Sequence, residues 1–268
     1  MPKGALTITK RLLALSWSQT LQYRGDLIIW LTAITATPLL SLALWYTVAQ
    51  SSTTGLVPRD ILTYYIIIMF VRVFTASWRG YRLIEQILNG DIVNYLIRPP
   101  AIFGEFLTTP LTTHLLQLIV PALILAAVAI TQPHLFTPAI FAMDNLLLFA
   151  LSLLVAFVIS FAFDISLGLL AFWLEDAQEL MAYRFTLTQI ASGVVIPFAV
   201  MPAWLHFSFS LLPFRYIISA PAEILMGQVT GSAALRLLLT QLIWAAAMTA
   251  LARVLYVRGR RRYAVPGQ

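Results

Sequence analysis

The sequence predicts an all-α integral membrane protein with six transmembrane helices, and its composition, apolar runs and charge placement each support this class. Of the 268 residues, 60% are hydrophobic and only 10% are charged, whereas a soluble domain carries about 25% charged residues. The mean hydropathy is +0.86. Polar residues are therefore too few to cover a water-soluble particle of this size, and the excess apolar surface is expected to face lipid.

The apolar runs have the length that membrane helices need. A helix requires about 20 mainly apolar residues to cross the hydrocarbon core. The predicted spans are residues 27–49, 61–78, 110–130, 144–173, 184–200 and 235–256. The fourth run is longer than one upright crossing, so this helix is expected to tilt or to extend beyond the membrane. These spans leave no room for a sizeable soluble domain.

The segment before the first span, residues 1–26, carries four basic residues among leucines and one tryptophan. A helix over this segment would place Leu6, Leu13 and Trp17 on one side. This favours an amphipathic interface helix that lies in the headgroup layer, with its basic residues towards anionic lipid. An ordinary cytosolic leader into the first span is the alternative.

Pro197, Pro202 and Pro213 interrupt the apolar sequence at and after the end of the fifth span. A continuous helix through three prolines is not expected, because each one removes a backbone donor and clashes with the preceding turn. We interpret residues 198–228 as an external re-entrant region that does not complete a second crossing. Irregular backbone at that depth has to be covered by protein.

Positive charge predicts the orientation of the spans. With a cytoplasmic N-terminus, 13 of the 17 Lys and Arg residues are cytoplasmic. Arg59, Arg215 and Arg236 are then external, and Arg72 lies within a span. Because cytoplasmic loops carry an excess of Lys and Arg, both termini are expected in the cytoplasm. Residues 257–268 then form a basic cytoplasmic tail, whose charge is explained as a topology determinant and does not indicate nucleic-acid binding.

The cytoplasmic segment between the second and third spans, residues 79–109, is the least lipid-like part of the chain. Leu83 and Ile87 share one face of a predicted helix, while charged residues occupy the other faces. Asn89-Gly90 is typical of a helix stop, because glycine readily adopts the left-handed conformation, and an aspartate directly after it can cap a second short helix. This pattern favours a surface that docks into a partner; a solvated loop is the alternative.

Four strings in this sequence resemble the permease subunits of type-2 ABC transporters. They are NGDIVNYLIRPP (89–100), LGLLAFWLED (167–176), SGVVIPFAVMPAWL (192–205) and LPFRYIISAPAEILMG (212–227). The match is closer to the subfamily that has two related permeases and a separate ATPase. Together with the six-span layout, the resemblance covers nearly the whole chain.

The resemblance implies a function for each unusual segment. It implies an N-terminal interface helix, a cytoplasmic coupling helix after the second span, and an external re-entrant hairpin after the fifth. The residues implied to couple to the ATPase are Glu85, Asn89, Gly90, Asp91, Tyr95, Leu96 and Arg98. Those implied to shape the re-entrant region or gate are Pro197, Pro202 and Pro213. The implied protein is a subunit of an ATP-driven exporter in the bacterial inner membrane.

The resemblance also implies the partners. ABC ATPase subunits would bind ATP and Mg²⁺, so no cofactor is expected in this chain. A second related permease, or a second copy of this chain, would complete the membrane part. In agreement, the sequence has no GxxxxGK[ST] phosphate-binding string.

Two ionisable residues, Arg72 and Asp164, lie within predicted spans. Such residues are costly in a membrane and mark either a pathway or a buried pair. Their predicted depths differ by only a few ångströms, so we consider an intramembrane ion pair between the second and fourth spans. The alternative is that Arg72 extends alone to the headgroups.

The sequence argues against other classes of function. There is no cysteine, and the three histidines have no metal-ligand spacing, so no catalytic or metal site is predicted. An intramembrane enzyme would need a catalytic set that two charges do not supply. A stand-alone secondary transporter or channel remains the second hypothesis, although it ordinarily shows inverted repeats or several polar residues at mid-membrane.

Overall fold

The computed structural model describes residues 24–51, 56–92, 117–119, 121–136 and 138–263. Every regular element in these residues is helical, which confirms the all-α class for this part of the chain. Most of the predicted interface helix lies outside the described residues, as does the second half of the predicted coupling region.

Nine helices of eight residues or more are found in the described part of the chain. They are α1 (Arg24–Gln50), α2 (Pro58–Thr75), α3 (Arg79–Leu88), α4 (Gln117–Thr131), α5 (Met143–Leu169), α6 (Ala177–Ala191), α7 (Ala203–Ser210), α8 (Pro213–Leu225) and α9 (Gly231–Tyr263). Short 3-10 turns at 133–135, 138–141, 170–172 and 198–200 join some of them.

Four stretches of the described chain are long and apolar enough to cross a membrane. They are Thr32–Gln50, Pro58–Leu88, Met143–Phe172 and Gly231–Arg262. These stretches contain the first, second, fourth and sixth predicted spans for most of their length. Helix α4 is apolar but shorter, and α6 has only 15 residues. The total of six spans therefore stays a prediction.

Helix α5 is the centre of the fold: it packs along α8 and α9 and also contacts α2, α3 and α6. One face of α9 packs against α5. On this face, Ala234, Leu238, Gln241 and Ala245 are all buried. The opposite side of α9 is exposed, with Ile243 68% accessible. This arrangement fits a helix with protein on one side and lipid on the other.

Helix α2 is enclosed on more than one side, because α1, α5 and α8 all pack against it. Four residues in its middle, Tyr64, Tyr65, Ile67 and Ile68, are all at most 5% exposed. A helix that is buried all round places its polar side chains inside the protein, where each one needs a partner.

Two helix boundaries differ from the sequence prediction. Helix α9 continues to Tyr263 through the basic stretch that was assigned to the tail, because arginine is a good helix former and nothing in that stretch breaks a helix. Helix α6 begins at Ala177 and ends at Ala191, whereas the fifth span was placed at 184–200. Among the acidic residues before Arg184, Asp176 directly precedes this helix and Glu179 lies in its first turn.

Candidate functional site

Asp164 of α5 lies at the centre of a buried polar cluster. Its side chain is fully enclosed. Its Oδ2 accepts a hydrogen bond from Ser77 Oγ at 2.8 Å and another from the backbone N–H of Gly80 at 2.8 Å. Gly80 lies in the first turn of α3, where backbone N–H groups have no partner within the helix. The residue at the N-terminal cap of α3, Trp78, supplies no side-chain hydrogen bond, so Asp164 caps α3 from another helix.

Arg184 of α6 completes the cluster. Its Nη1 donates to Asp164 Oδ1 at 3.0 Å, and its Nη2 donates to Ser160 Oγ at 3.0 Å. The Arg184 and Asp164 side chains are only 13% and 1% exposed. A negative carboxylate at the start of a helix is also favoured by the helix dipole. Asp164, Arg184, Ser77, Gly80 and Ser160, hereafter the Asp164 cluster, therefore join α3, α5 and α6.

The predicted ion pair between Arg72 and Asp164 is corrected by this geometry, because the cation that Asp164 contacts is Arg184. Arg184 was assigned to the cytoplasmic edge of the fifth span, but α6 starts seven residues earlier, and this places the guanidinium beside α5. Arg72 itself is buried, with 5% exposure. Within the described residues its Nη1 has no hydrogen-bond partner. A role for Arg72 in a pathway stays a prediction.

Two glycines bring the backbones of α3 and α5 into direct contact. A Cβ atom added to Gly168 would lie 2.9 Å from Gly80 Cα and 3.0 Å from the Gly80 oxygen. A Cβ atom on Gly80 would lie 2.6 Å from the Asp164 carbonyl oxygen. The distances of 2.9 Å and 2.6 Å are too short for a real side chain. Helix α3 is therefore held against α5 by close packing as well as by hydrogen bonds.

We expect Gly168→Ala to push α3 away from α5 and to lower the free energy of unfolding by about 1–3 kcal/mol, the usual cost of overpacking. Denaturant unfolding of the purified chain in micelles measures the change. Ala150→Val is the matched control, because it enlarges an exposed side chain on the same helix and should change stability by less than about 0.5 kcal/mol. Equal stability losses in the two variants would contradict the close packing.

Helix α3 has one buried face and one exposed face. Leu83, Ile84 and Ile87 pack with residues of α5 and α6, among them Leu169 and Met181, in a second hydrophobic core. The charged residues of α3 lie elsewhere on the helix, and the exposed side therefore remains available to a partner.

The predicted coupling residues fall partly within this region. Glu85, Asn89 and Asp91 are exposed, and Gly90 is half-buried. The helix stop predicted at Asn89-Gly90 is confirmed, since α3 ends at Leu88 and Gly90 has a φ of +84°. The other three predicted residues, Tyr95, Leu96 and Arg98, lie outside the described residues, as does the second short helix.

The backbone after α6 leaves the helix within the fold, and side chains from other helices satisfy its carbonyl groups. Trp45 Nε1 of α1 donates to the Val195 oxygen at 2.8 Å. Tyr64 of α2 donates through its hydroxyl to the Gly193 oxygen at 2.9 Å. Ser219 Oγ of α8 donates to the Ser192 oxygen. Non-helical backbone at membrane depth requires such partners.

The three predicted gate prolines each precede or begin a helical segment. Pro197 precedes the 3-10 turn, Pro202 precedes α7, and Pro213 is the first residue of α8. A proline fits these positions because its fixed φ suits a helix start and its missing N–H is not needed there. Their role in a gate stays a prediction.

A second buried ion pair lies on α8. Arg215 Nη2 contacts Glu223 Oε2 at 2.9 Å, and the guanidinium lies 4.7 Å from the centre of the Phe198 ring. From the sequence, Arg215 is predicted only as an external charge, and no role is predicted for Glu223. The helical periodicity gave no signal for this pair, because residues eight apart are not usual partners on one helix.

Residues of the Asp164 cluster other than Asp164 were also missed. The single signal in the sequence was the cost of an aspartate inside an apolar run, which requires a cation and donors somewhere in the fold. This cost does not identify the cation or the donors. Ser77, Gly80 and Arg184 come from segments that are 87, 84 and 20 residues away along the chain.

The four long apolar stretches and the polar cluster buried between the helices are features of a multi-pass membrane protein. The chain belongs to the family described as ABC-2 family transporter protein, whose family model matches residues 32–267. It is thus an ABC transporter permease, which confirms the resemblance to type-2 ABC permeases. The closer match to the subfamily with two related permeases and a separate ATPase stays a prediction. Comparisons with curated proteins and with solved structures gave no match.

Proposed function

We propose that the chain is the membrane subunit of an ATP-driven exporter in which a separate ATPase subunit binds the exposed face of α3. The observation that supports this proposal most is the position of Asp164, whose carboxylate contacts the start of α3 and pairs with Arg184 of α6. When the ATPase displaces α3, the displacement reaches α5 and α6 through these contacts. Such a rigid-body movement of packed helices can switch a transporter between two states.

The exposed side of α3 suits a docking role by its composition. Arg82 and Glu85 are exposed there, and Leu88 is 46% accessible although it is apolar. Asn89 and Asp91 continue the polar surface after the helix end. A short helix with a few apolar anchors and surrounding charges is a common means of docking into a groove.

The remaining parts of the proposal come from family membership and from the charge distribution. ATP and Mg²⁺ would bind to the ATPase subunits, and this chain would contribute no catalytic group. The membrane part would be a dimer with a second related permease or with another copy of this chain. The membrane would be a bacterial inner membrane. The excess of Lys and Arg in the predicted cytoplasmic segments supports a cytoplasmic position for both termini, and α3 would then face the cytoplasm.

Co-purification tests the proposed assembly. The full chain, tagged and isolated from its native membranes in a mild detergent, is expected to elute with an ABC ATPase and with a second permease of the same family. The opposite result is a chain that elutes without an ATPase and transports by itself in liposomes without ATP. That result would favour a stand-alone secondary transporter or channel.

Charge reversal on α3 tests the docking surface. The double variant Glu85→Arg with Asp91→Arg is expected to weaken ATPase association about tenfold or more, because like charges then oppose the partner surface. Both residues are exposed, so folding should be retained. Gln228→Arg, at an exposed position between α8 and α9, is the matched control and should leave association unchanged. Unchanged association in the double variant would show that α3 is not the docking element.

A further inference from the structure

A cavity of about 60 Å³ lies where α1, α2, α6 and α8 meet beside the Asp164 cluster. Besides aromatic residues, its polar lining comes from seven side chains: Arg72, Thr75, Ser77, Ser160, Arg184, Thr188 and Gln189. Pockets for whole drug-sized molecules measure about 300–1,000 Å³. This cavity has room for one compact polar group, so the rest of a larger ligand would lie outside it.

The charge in the cavity is not balanced by the protein groups of the described residues. Asp164 already accepts hydrogen bonds on both carboxylate oxygens and pairs with Arg184. Among the described residues no carboxylate lies within ion-pair distance of Arg72, although its side chain is buried. One positive charge is therefore left over at the cavity wall.

Two guanidinium N–H groups in the same wall also lack acceptors. Arg72 Nη1 and Arg184 Nε are both buried and have no hydrogen-bond partner in the described part of the protein. An unpaired buried charge is costly. Guanidinium groups bind the oxygens of phosphate and carboxylate with particular strength. The cavity therefore fits an anionic group that has several oxygen acceptors.

The mouth of the cavity is aromatic and exposed. Trp78 and Phe185 line it and are 42% and 40% exposed, with ring centres 6.1 Å apart. Tyr81 stacks on Trp78 with a ring-centre distance of 5.9 Å. Exposed aromatic rings beside a charged recess suit a ligand with an anionic head and an apolar tail, because the tail can lie against the rings while the head is inside.

We propose that this cavity binds the anionic headgroup of an amphiphile, with Arg72 as its counter-charge and with Trp78 and Phe185 against its tail. The binding site itself does not depend on the proposed exporter function. Its role as a substrate site rests on that function and names the class of substrate. A phosphate or carboxylate group is the chemistry that is recognised. A membrane lipid, a single-chain amphiphile and a free anion could each supply it, and the experiment separates the two amphiphiles from the free anion.

The test measures binding of radiolabelled dodecyl phosphate to the full chain, immobilised in a neutral maltoside detergent. Saturable binding is expected, with competition by an anionic phospholipid. Dodecyltrimethylammonium, which has the same tail and the opposite charge, should not compete. Effective competition by inorganic phosphate alone would identify a free-anion site and overturn the amphiphile proposal. Equal competition by the cationic amphiphile, or no saturable binding, would overturn the site itself.

Variants then assign the counter-charge. Arg72→Gln is expected to weaken binding roughly tenfold to a hundredfold, the usual effect of losing hydrogen bonds to a charged group. Arg72→Lys keeps the charge but loses the planar fork, so it should fall between Arg72→Gln and the wild type. Arg253→Gln, which removes an exposed arginine from α9, should bind as the wild type does. Equal weakening in Arg72→Gln and Arg253→Gln would contradict the assignment to Arg72.

The binding assay uses the chain without an ATPase, so its outcome is independent of the proposed assembly. Saturable, Arg72-dependent binding supports the site even when no ATPase co-purifies. Absence of such binding overturns the site even when the ATPase complex is found. In the isolated complex, dodecyl phosphate is expected to stimulate ATP hydrolysis at least twofold with wild-type chain and not with Arg72→Gln. Equal stimulation of both would contradict the substrate role.

Discussion

Replacing Asp164 with asparagine is expected to lower the free energy of unfolding by about 3–5 kcal/mol, because it leaves a buried arginine without its counter-charge. The change also weakens the cap on α3, since Asp164 Oδ2 accepts from both Ser77 and Gly80. Denaturant unfolding of the purified chain in mixed micelles measures the loss. In the assembled transporter, substrate transport should fall together with stability.

Two comparisons make this prediction specific. Asp144→Asn alters an exposed aspartate on the same helix and should change stability by less than about 0.5 kcal/mol. Asp164→Asn combined with Arg184→Gln removes both charges, so it should be more stable than Asp164→Asn alone. A double variant that is as unstable as the sum of its single variants would contradict the ion pair.

Gly193→Ala is expected to have an effect of similar size for a different reason. Gly193 has a φ of +88°, and an added Cβ would lie 2.7 Å from the Tyr64 hydroxyl and 2.9 Å from Cδ2 of the Phe198 ring. Strain of the left-handed backbone and overpacking together should cost about 2–5 kcal/mol. The same unfolding measurement detects this loss. The hydrogen bonds that hold the segment after α6 should be lost as well.

Gly231→Ala is the control that separates backbone strain from overpacking. Gly231 also has a positive φ, +55°, but nothing lies within 4 Å of an added Cβ. Only the strain should remain there, about 1–2 kcal/mol. Equal losses at the two positions would show that the packing around Gly193 does not restrict it.

Much of the helical layout could be predicted from the sequence, because a helix that crosses a membrane has to be long and mainly apolar. Long apolar runs predicted α1, α2, α5 and α9, and the Asn89-Gly90 pair predicted the end of α3. The three prolines predicted a broken segment, and the structure starts a helical piece at or directly after each of them. These features depend on local composition and on backbone chemistry, which a single sequence displays directly.

The contacts of the buried polar groups could not be predicted in the same way. The sequence marks Asp164 as a costly residue, but its partners come from two other segments, residues 77–80 and α6, whose approach to α5 is a property of the tertiary fold. The position at which α6 begins determines whether Arg184 can reach Asp164. A helix that begins at Ala177 brings Arg184 to α5, whereas a span that begins at residue 184 leaves it at the membrane edge. The close approach of Gly80 and Gly168 likewise has no local pattern.

Site-specific cross-linking tests the central claim, that α3 carries the signal from an ATPase to the membrane helices, most directly. The chain contains no cysteine, so single-cysteine variants give unambiguous positions. With a bifunctional reagent in native membranes, Glu85→Cys is expected to cross-link to an ABC ATPase, with a yield that changes when ATP is added. Gln228→Cys, on the segment between α8 and α9, should give no such product. Equal ATPase cross-linking from both positions, or none from Glu85→Cys, would contradict the assignment of α3 as the coupling element.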